Sequence, residues 1–416
     1  MNVGQRQHYR GDEAALTWRA EVDAARGEQR AASFESGKPG ITAWVTREVA
    51  AAWLACGAFE WVALGYLAAS SALIAVFAEN LAHPVKLFGV QVLVAAVILI
   101  LCRLEAQAGT DRNVCPTTAQ KFWHFWRHWY PHVFFLFCFE ELGTLVHLVT
   151  PGWQDAKLIA ADYWLTGVHP TVWLEQFATP VRNDFMQFAY LTYFTYLVVL
   201  GGVLYYRRDW RGYWSVMTYS AAGYAVGYVI AILFPIESPW FSMAGAWRGP
   251  LEGGPITATI NFIEHFGRVR GAAFPSEHVA GSVAALWGAW RHRRWLFWVM
   301  LPLVACMWVS TVWGRYHYVV DVFAGMATGT LGYVIGGWVM KTRGKMAEAD
   351  KTSGAKYARK CKPEQGLSTR QGVGFLAGRS GYPPVKQPTE DGGSRSGSAR
   401  RYWRCAAARA RSRHRP

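Results

Sequence analysis

The sequence predicts an all-α protein, a polytopic bundle of membrane-spanning helices, on three observations. The chain is 52% hydrophobic, yet its mean hydropathy is only +0.06. That mixture is expected when apolar spans are diluted by polar ends. Apolar stretches of roughly 20 residues, the length needed to cross a bilayer as a helix, recur along the chain. The basic residues between them fall in alternate connections, as positive-inside sorting requires.

In chain order, the stretches lie at 50–78, 85–104, 132–149, 185–206, 213–235, 275–290, 295–313 and 317–340. The second contains V-Q-V-L-V-A-A-V-I-L-I-L-C, a run that a soluble helix of that length does not need. The sixth is short, about 16 residues or roughly 24 Å at helical rise. Such a helix is expected to begin below the membrane surface, inside a pocket. Residues 150–184 are too polar to span. Trp153, Trp164 and Trp173 there suit the headgroup level, so the segment reads as interfacial and partly helical.

Arg103, Arg112, Lys121 and Arg127 follow the second span, and Arg207, Arg208 and Arg211 follow the fourth. Arg291, Arg293 and Arg294 follow the sixth, and Lys341, Arg343 and Lys345 the eighth. These connections share one side, which positive-inside sorting makes cytoplasmic together with both termini. The loop 236–274 and the turn Gly314–Tyr316 then face the extracytoplasmic side. The N-terminus has no basic-then-apolar leader pattern, so insertion is expected to come from the spans themselves.

The formal net charge of +15 suggests a polyanionic partner, but its position argues otherwise. From Lys341 to Pro416 there are 19 Lys+Arg against 5 Asp+Glu, or +14. This Gly-, Ser-, Arg- and Pro-rich stretch lacks apolar periodicity and reads as a disordered tail drawn to anionic lipid headgroups, not to nucleic acid. The seven cysteines have no metal-ligand spacing, and no disulfide framework or zinc site is inferred. His124, His128 and His132 recur every fourth residue. Among aromatic and basic neighbours they read as an interfacial amphipathic helix in preference to a metal face.

Two motifs on the predicted outer side carry chemistry. The first is G-A-A-F-P-S-E-H-V-A-G-S, residues 271–282. Pro275 and Ser276 suit a helix start, whose free N–H groups and positive dipole end favour an anion, and His278 lies in its first turn. The second is S-T-V-W-G-R-Y-H-Y-V-V-D-V-F-A-G, residues 310–325. His317 and Asp321 are four apart and share a helical face. A carboxylate one turn into a membrane requires a partner, and an imidazole beside it gains a fixed orientation. Arg315, Arg268 and Arg270 are the cations nearest these motifs, and the guanidinium fork suits phosphate. Glu140, Glu141 and Glu60 are intramembrane acids that read as helix-bridging groups. Tyr190, Tyr193 and Tyr196 read as a packing stripe whose outer end reaches toward a substrate headgroup.

The pair F-P-S-E-H and H-Y-V-V-D-V-F-A-G resembles the second and third signature motifs of the type 2 phosphatidic acid phosphatase superfamily. Within it, the chain is most similar to the branch containing inositol phosphorylceramide synthases and their bacterial relatives. The resemblance spans roughly 130–340 and includes F-E-E-L at 139–142, D-Y-W-L-T-G-V-H-P at 162–170 and L-F-P-I-E-S-P-W-F at 233–241. It implies a six-helix catalytic core at 130–340, with 1–48 a cytoplasmic segment. Residues 49–129 would hold two further spans and a cytoplasmic interfacial segment, and 341–416 the basic tail.

The resemblance also implies the roles: His317 the nucleophile of a phosphohistidine intermediate, Asp321 its orienting partner, His278 the proton donor, and Ser276 a phosphate ligand. Neither metal nor cofactor is implied. The implied partners are a lipid phosphate substrate and membrane lipids; the composition suggests the inner membrane of a bacterium, and the basic connections put the site on its outer side. The chain departs from the usual phosphatase pattern at Thr311, where that pattern has arginine, and at Glu277, where it has glycine. The Lys-x6-Arg-Pro first motif is not present. The competing readings are a non-catalytic transporter or scaffold that keeps the fold, and vanadate-dependent halide oxidation.

Overall fold

The computed structural model describes residues 41–108, 117–267 and 269–360. Arg268, the segment 1–40 and the tail beyond Lys360 lie outside the described residues. Twelve helices matter here: α1 (Ile41–Ala55), α2 (Ala58–Val76), α3 (Pro84–Ala108), α4 (Thr118–Leu145), α5 (Asp155–Thr166), α6 (Pro180–Leu191), α7 (Tyr193–Tyr206), α8 (Trp210–Leu233), α9 (Pro255–Gly267), α10 (Glu277–His292), α11 (Arg294–Trp313) and α12 (Val319–Lys360). Between the described helices the one ladder contact is a parallel bridge from Ile236 to Ala272. The protein is all-α.

Among the described residues, six helical stretches are long and apolar enough to cross a membrane: α2, α3, α6 with α7 (Pro180–Tyr206), α8, α11 and α12 as far as Met346. Helix α4 has 28 residues, but its first turns read K-F-W-H-F-W-R-H-W and dilute its hydropathy. Helix α10 is 16 residues long, as short as its sequence indicated. The first predicted span, 50–78, is two helices broken at Cys56–Gly57. There the Glu60 carboxylate turns back to accept from the Gly57 N–H at 2.6 Å and caps α2. The predicted irregular tail from 341 is corrected as far as Lys360. Its Lys, Ala, Glu and Met residues are good helix formers, and they continue α12 without a break.

Helix α8 is the hub. Of its apolar window 72% is buried inside the protein, against 22% for α3 at the periphery. It packs on α12, α10 and α2. Contact with α12 is close enough that a Cβ added at Gly332 would stand 2.5 Å from the Cα and N of Gly223. Apposed small residues of this kind let membrane helices gain packing and dispersion energy where there is little hydrophobic drive between them.

The N-terminal hairpin is fastened to the bundle by a charged latch. Glu60 of α2 is fully buried, pairs with Arg127 of α4 at 2.8 Å and accepts from the Tyr130 hydroxyl at 2.6 Å. The Arg127 guanidinium lies 4.1 Å from the ring centre of Trp214 on α8. His128 packs beside it among Trp210, Tyr213 and Trp214, while His124 pairs with Glu105. Among the described residues, no group of three or more His, Cys, Asp or Glu is placed to hold a metal ion.

The two ends of the bundle differ. At one end Arg103 pairs with Glu48, Arg293 pairs with Asp209, and Arg343 donates to the carbonyls of Leu54 and Cys56. The segments 146–179 and 234–276 gather at the other. There Asn80 donates to the Leu148 carbonyl and Thr150 to the Leu233 carbonyl.

Two outcomes test this packing. Gly332→Ala is expected to lower stability by about 1–3 kcal/mol, because both facing atoms are backbone and cannot swing away. Glu60→Gln leaves Arg127 buried without its counter-charge and is expected to cost about 3–5 kcal/mol, with substantial recovery in Glu60→Gln/Arg127→Met. Thermal unfolding of detergent-purified protein measures both.

Candidate functional site

The site forms where the N-termini of α10 and α12 meet. Ser276 is the N-cap of α10, its fully buried hydroxyl accepting from the Val279 N–H, while Pro275 stands one residue outside the helix. The Ser276 N–H donates to the Asp321 carbonyl at 3.1 Å, which ties the two helix starts together. A Cβ added at Gly325 would lie 2.5 Å from the Ser276 carbonyl oxygen, so the close approach of α12 requires glycine there.

His317 sits in the turn before α12. Its Nδ1 is 2.9 Å from the Ala273 carbonyl oxygen and 3.4 Å from Asp321 Oδ2. Both groups accept, so Nδ1 carries the proton and Nε2 presents a lone pair. That Nε2 faces His278 Nδ1 at 3.3 Å. Burial pushes the His317 imidazole down to about 4, so at neutral pH the ring is uncharged. Asp321 is itself fully buried and accepts from the Tyr318 N–H at 2.8 Å. The expected partnership of His317 with Asp321 is thus shared with a backbone carbonyl, which stands nearer.

The far nitrogen of His278 is 2.9 Å from the Tyr190 hydroxyl, and that hydroxyl donates to Glu264 Oε1 at 2.9 Å. With the tyrosine proton given to Glu264, the contact is completed by His278 donating from Nε2. His278, Tyr190 and Glu264 therefore form a relay that ends where His278 Nδ1 faces His317 Nε2. Tyr193 covers the His278 ring at 4.5 Å between centres, and Tyr316 lies 4.4 Å from Tyr190 and donates to Gln187. Tyr190 and Glu264 were not singled out as site residues in the sequence. The tyrosine stripe on α6 and α7 was the available signal for the first. For the second it was the spacing Ile256, Ile260, Ile263, which marks α9 as an amphipathic helix inside the predicted loop.

Two aspartates hold the floor under the histidines. Asp155 accepts from the N–H groups of Glu237 and Ser238 and from the Tyr318 hydroxyl at 2.9 Å. Asp162 accepts from the Val319 and Val320 N–H groups at 3.0 and 2.9 Å, capping α12. Ser238 has φ of 96°, a strained value for a residue with a side chain, and the Asp155 bonds hold it there.

Two of the predicted phosphate-binding cations, Arg315 and Arg270, are paired with carboxylates elsewhere. Arg315, at φ 64°, is buried against Trp247, paired with Glu175 at 3.1 Å and bonded to the Gly249 carbonyl. It fastens two outer loops and does not line the cavity. Arg270 pairs with Glu237 at 2.5 Å and lies over Trp153 and Phe241 at the rim.

A cavity of about 410 Å³ opens beside the histidine pair. His278, His317, Tyr190 and Glu264 line its upper part. Phe135, Leu136, Phe139, Phe194, Leu197 and Val198 line an apolar extension between α4 and α7. Leu136, Phe194 and Val198 are also exposed on the outside of the bundle, so the apolar extension adjoins the surface that a bilayer would cover.

No curated protein and no solved structure matches the chain. Residues 156–335, the stretch that carries His278, His317 and Asp321, match the family model described as the PAP2 superfamily.

Proposed function

We propose that this protein is a membrane phosphoesterase or phosphotransferase that acts on a lipid phosphate through a phosphohistidine at His317. The observation that carries the reading is the clasp on His317 Nδ1 by Ala273 and Asp321. It leaves Nε2 unprotonated and aimed at His278 beside a cavity with an apolar extension.

In the first step Nε2 attacks phosphorus, the Nε2–P bond forms, and the bond from phosphorus to the leaving oxygen breaks. His278 passes its proton to that oxygen, and the lipid alcohol leaves. The new positive charge on the His317 ring is balanced by Asp321 and the Ala273 carbonyl. In the second step water or an alcohol gives its proton to His278 and attacks phosphorus, and the Nε2–P bond breaks. Water makes the protein a phosphatase; a lipid or polyol hydroxyl makes it a head-group transferase of the inositol phosphorylceramide synthase type. The N-terminus of α10 supplies positive potential to the phosphoryl oxygens.

The basic end of the bundle is read as cytoplasmic, which puts the site on the extracytoplasmic face of a bacterial inner membrane. Residues 130–340 serve as the catalytic core, with the Glu60–Arg127 latch fixing the two additional spans to it.

The purified protein is expected to release free phosphate or form a new head-group lipid from a panel of lipid phosphates and phosphodiesters. His317→Ala is expected to abolish both products. Equal inertness of wild type and His317→Ala across the panel would overturn the reading. Tyr190→Phe breaks the relay to Glu264 and is expected to slow turnover about 10- to 100-fold with little change in KM, as steady-state kinetics would register. Single-turnover phosphorylation of His317 is expected to be lost as pH drops through about 4, where Nε2 takes a proton.

A further inference from the structure

The described lining of the cavity is acidic. Glu140, Glu237, Glu264 and Glu277 line it, and among the described residues none of the lining side chains is Lys or Arg. Glu237 is neutralised by Arg270, and Glu264 holds the Tyr190 hydroxyl. Glu277 is different. It is 4% exposed, lines the cavity, and neither of its carboxyl oxygens has a hydrogen-bond partner. A buried carboxyl in that position is costly in its charged form unless a cation comes to it, and otherwise keeps its proton.

The walls around Glu277 are aromatic. Tyr224 and Tyr228 stack on α8 with ring centres 5.9 Å apart, and the Tyr193 hydroxyl meets the Tyr224 hydroxyl at 2.9 Å. Space for Glu277 is made by Gly227, where an added Cβ would stand 1.8 Å from Glu277 Oε1. Tyr193 spans the two halves of the cavity, since its ring also covers His278. A carboxylate in a cavity lined by tyrosines suits an organic ammonium, through charge pairing with the option of cation–π attraction. A bare metal ion would want several hard ligands.

We propose that the cavity floor formed by Glu277 with Tyr193, Tyr224 and Tyr228 binds an organic ammonium group of the choline or ethanolamine type. The group is carried either by the phosphoester donor or by the acceptor alcohol. The proposal rests on the phosphoester reading for its place in a reaction, because Glu277 adjoins His278 in the chain and the ammonium would lie a short linker from the reacting phosphorus. The binding itself does not depend on turnover.

The test is a titration of choline into detergent-purified protein, followed by calorimetry. The control ligand is the uncharged carbon isostere in which a tert-butyl group replaces trimethylammonium. Saturable choline binding is expected, with the isostere at least about tenfold weaker on wild type. Glu277→Gln is expected to weaken choline by a similar factor and leave the isostere unchanged. Equal binding of choline and its isostere, or no saturable choline binding, would overturn the proposal without relying on any variant to fold. Phosphocholine separates the two sources. If it binds more tightly than choline, the ammonium belongs to the donor; if choline binds as well alone, it belongs to the acceptor. His317→Ala should keep choline binding whichever holds. Choline binding in a wild type that turns over no phosphoester would overturn the catalytic reading and leave the ammonium site standing.

Discussion

The N–H of His317 Nδ1 is the bond on which the rest of the site depends. It must meet two acceptors, the Ala273 carbonyl and the Asp321 carboxylate, and each is held by something further away. Ala273 is fixed by its N–H bond to the Ile236 carbonyl at 3.2 Å. The strand-like segment at Ile236 is held by Asp155 through the next two backbone N–H groups. Asp155 also takes the Tyr318 hydroxyl, and the Tyr318 N–H goes to Asp321. The chain of bonds closes on itself around one imidazole, which fixes the ring's tautomer and its direction. Preorganisation of this kind is what a nucleophile on a neutral side chain requires.

The interior of a membrane bundle constrains every other charge. Within it, polar groups must find partners inside the protein. Glu60, Arg127 and Tyr130 satisfy one another and make the N-terminal hairpin part of the same folding unit as the core. Asp162 spends both oxygens on the start of α12. Arg315, which sequence proximity nominated for phosphate, is consumed by Glu175, Gly249 and Trp247. Against this background a carboxylate such as Glu277, buried and without a hydrogen-bond partner, points to a ligand more strongly than an exposed one would.

Charge arrangement also separates the two ends of the molecule. The arginines of the short connections serve as structural ties among α1, α3, α8, α10 and α12. The histidine end is built from long connections rich in aspartate and glutamate. Among the described residues, this asymmetry keeps guanidinium groups off the cavity wall.

Hydropathy and length determined the all-helical class and the run of apolar segments, because crossing a bilayer needs about 20 apolar residues regardless of neighbours. The four-residue spacing of His317 and Asp321 and the Ser276 cap were legible for the same reason, since both are properties of one local helix. Tertiary structure alone decided the rest. Ala273 as the nearer partner of His317 is a backbone atom 44 positions away, and no residue type announces it. Tyr190 and Glu264 reach His278 from separate helices, so their roles exist only once α6, α9 and α10 pack together. Arg315 goes to a counter-charge that proximity in sequence does not reveal, because a side chain's direction in a loop is set by where that charge lies, and Glu175 lies 140 residues away.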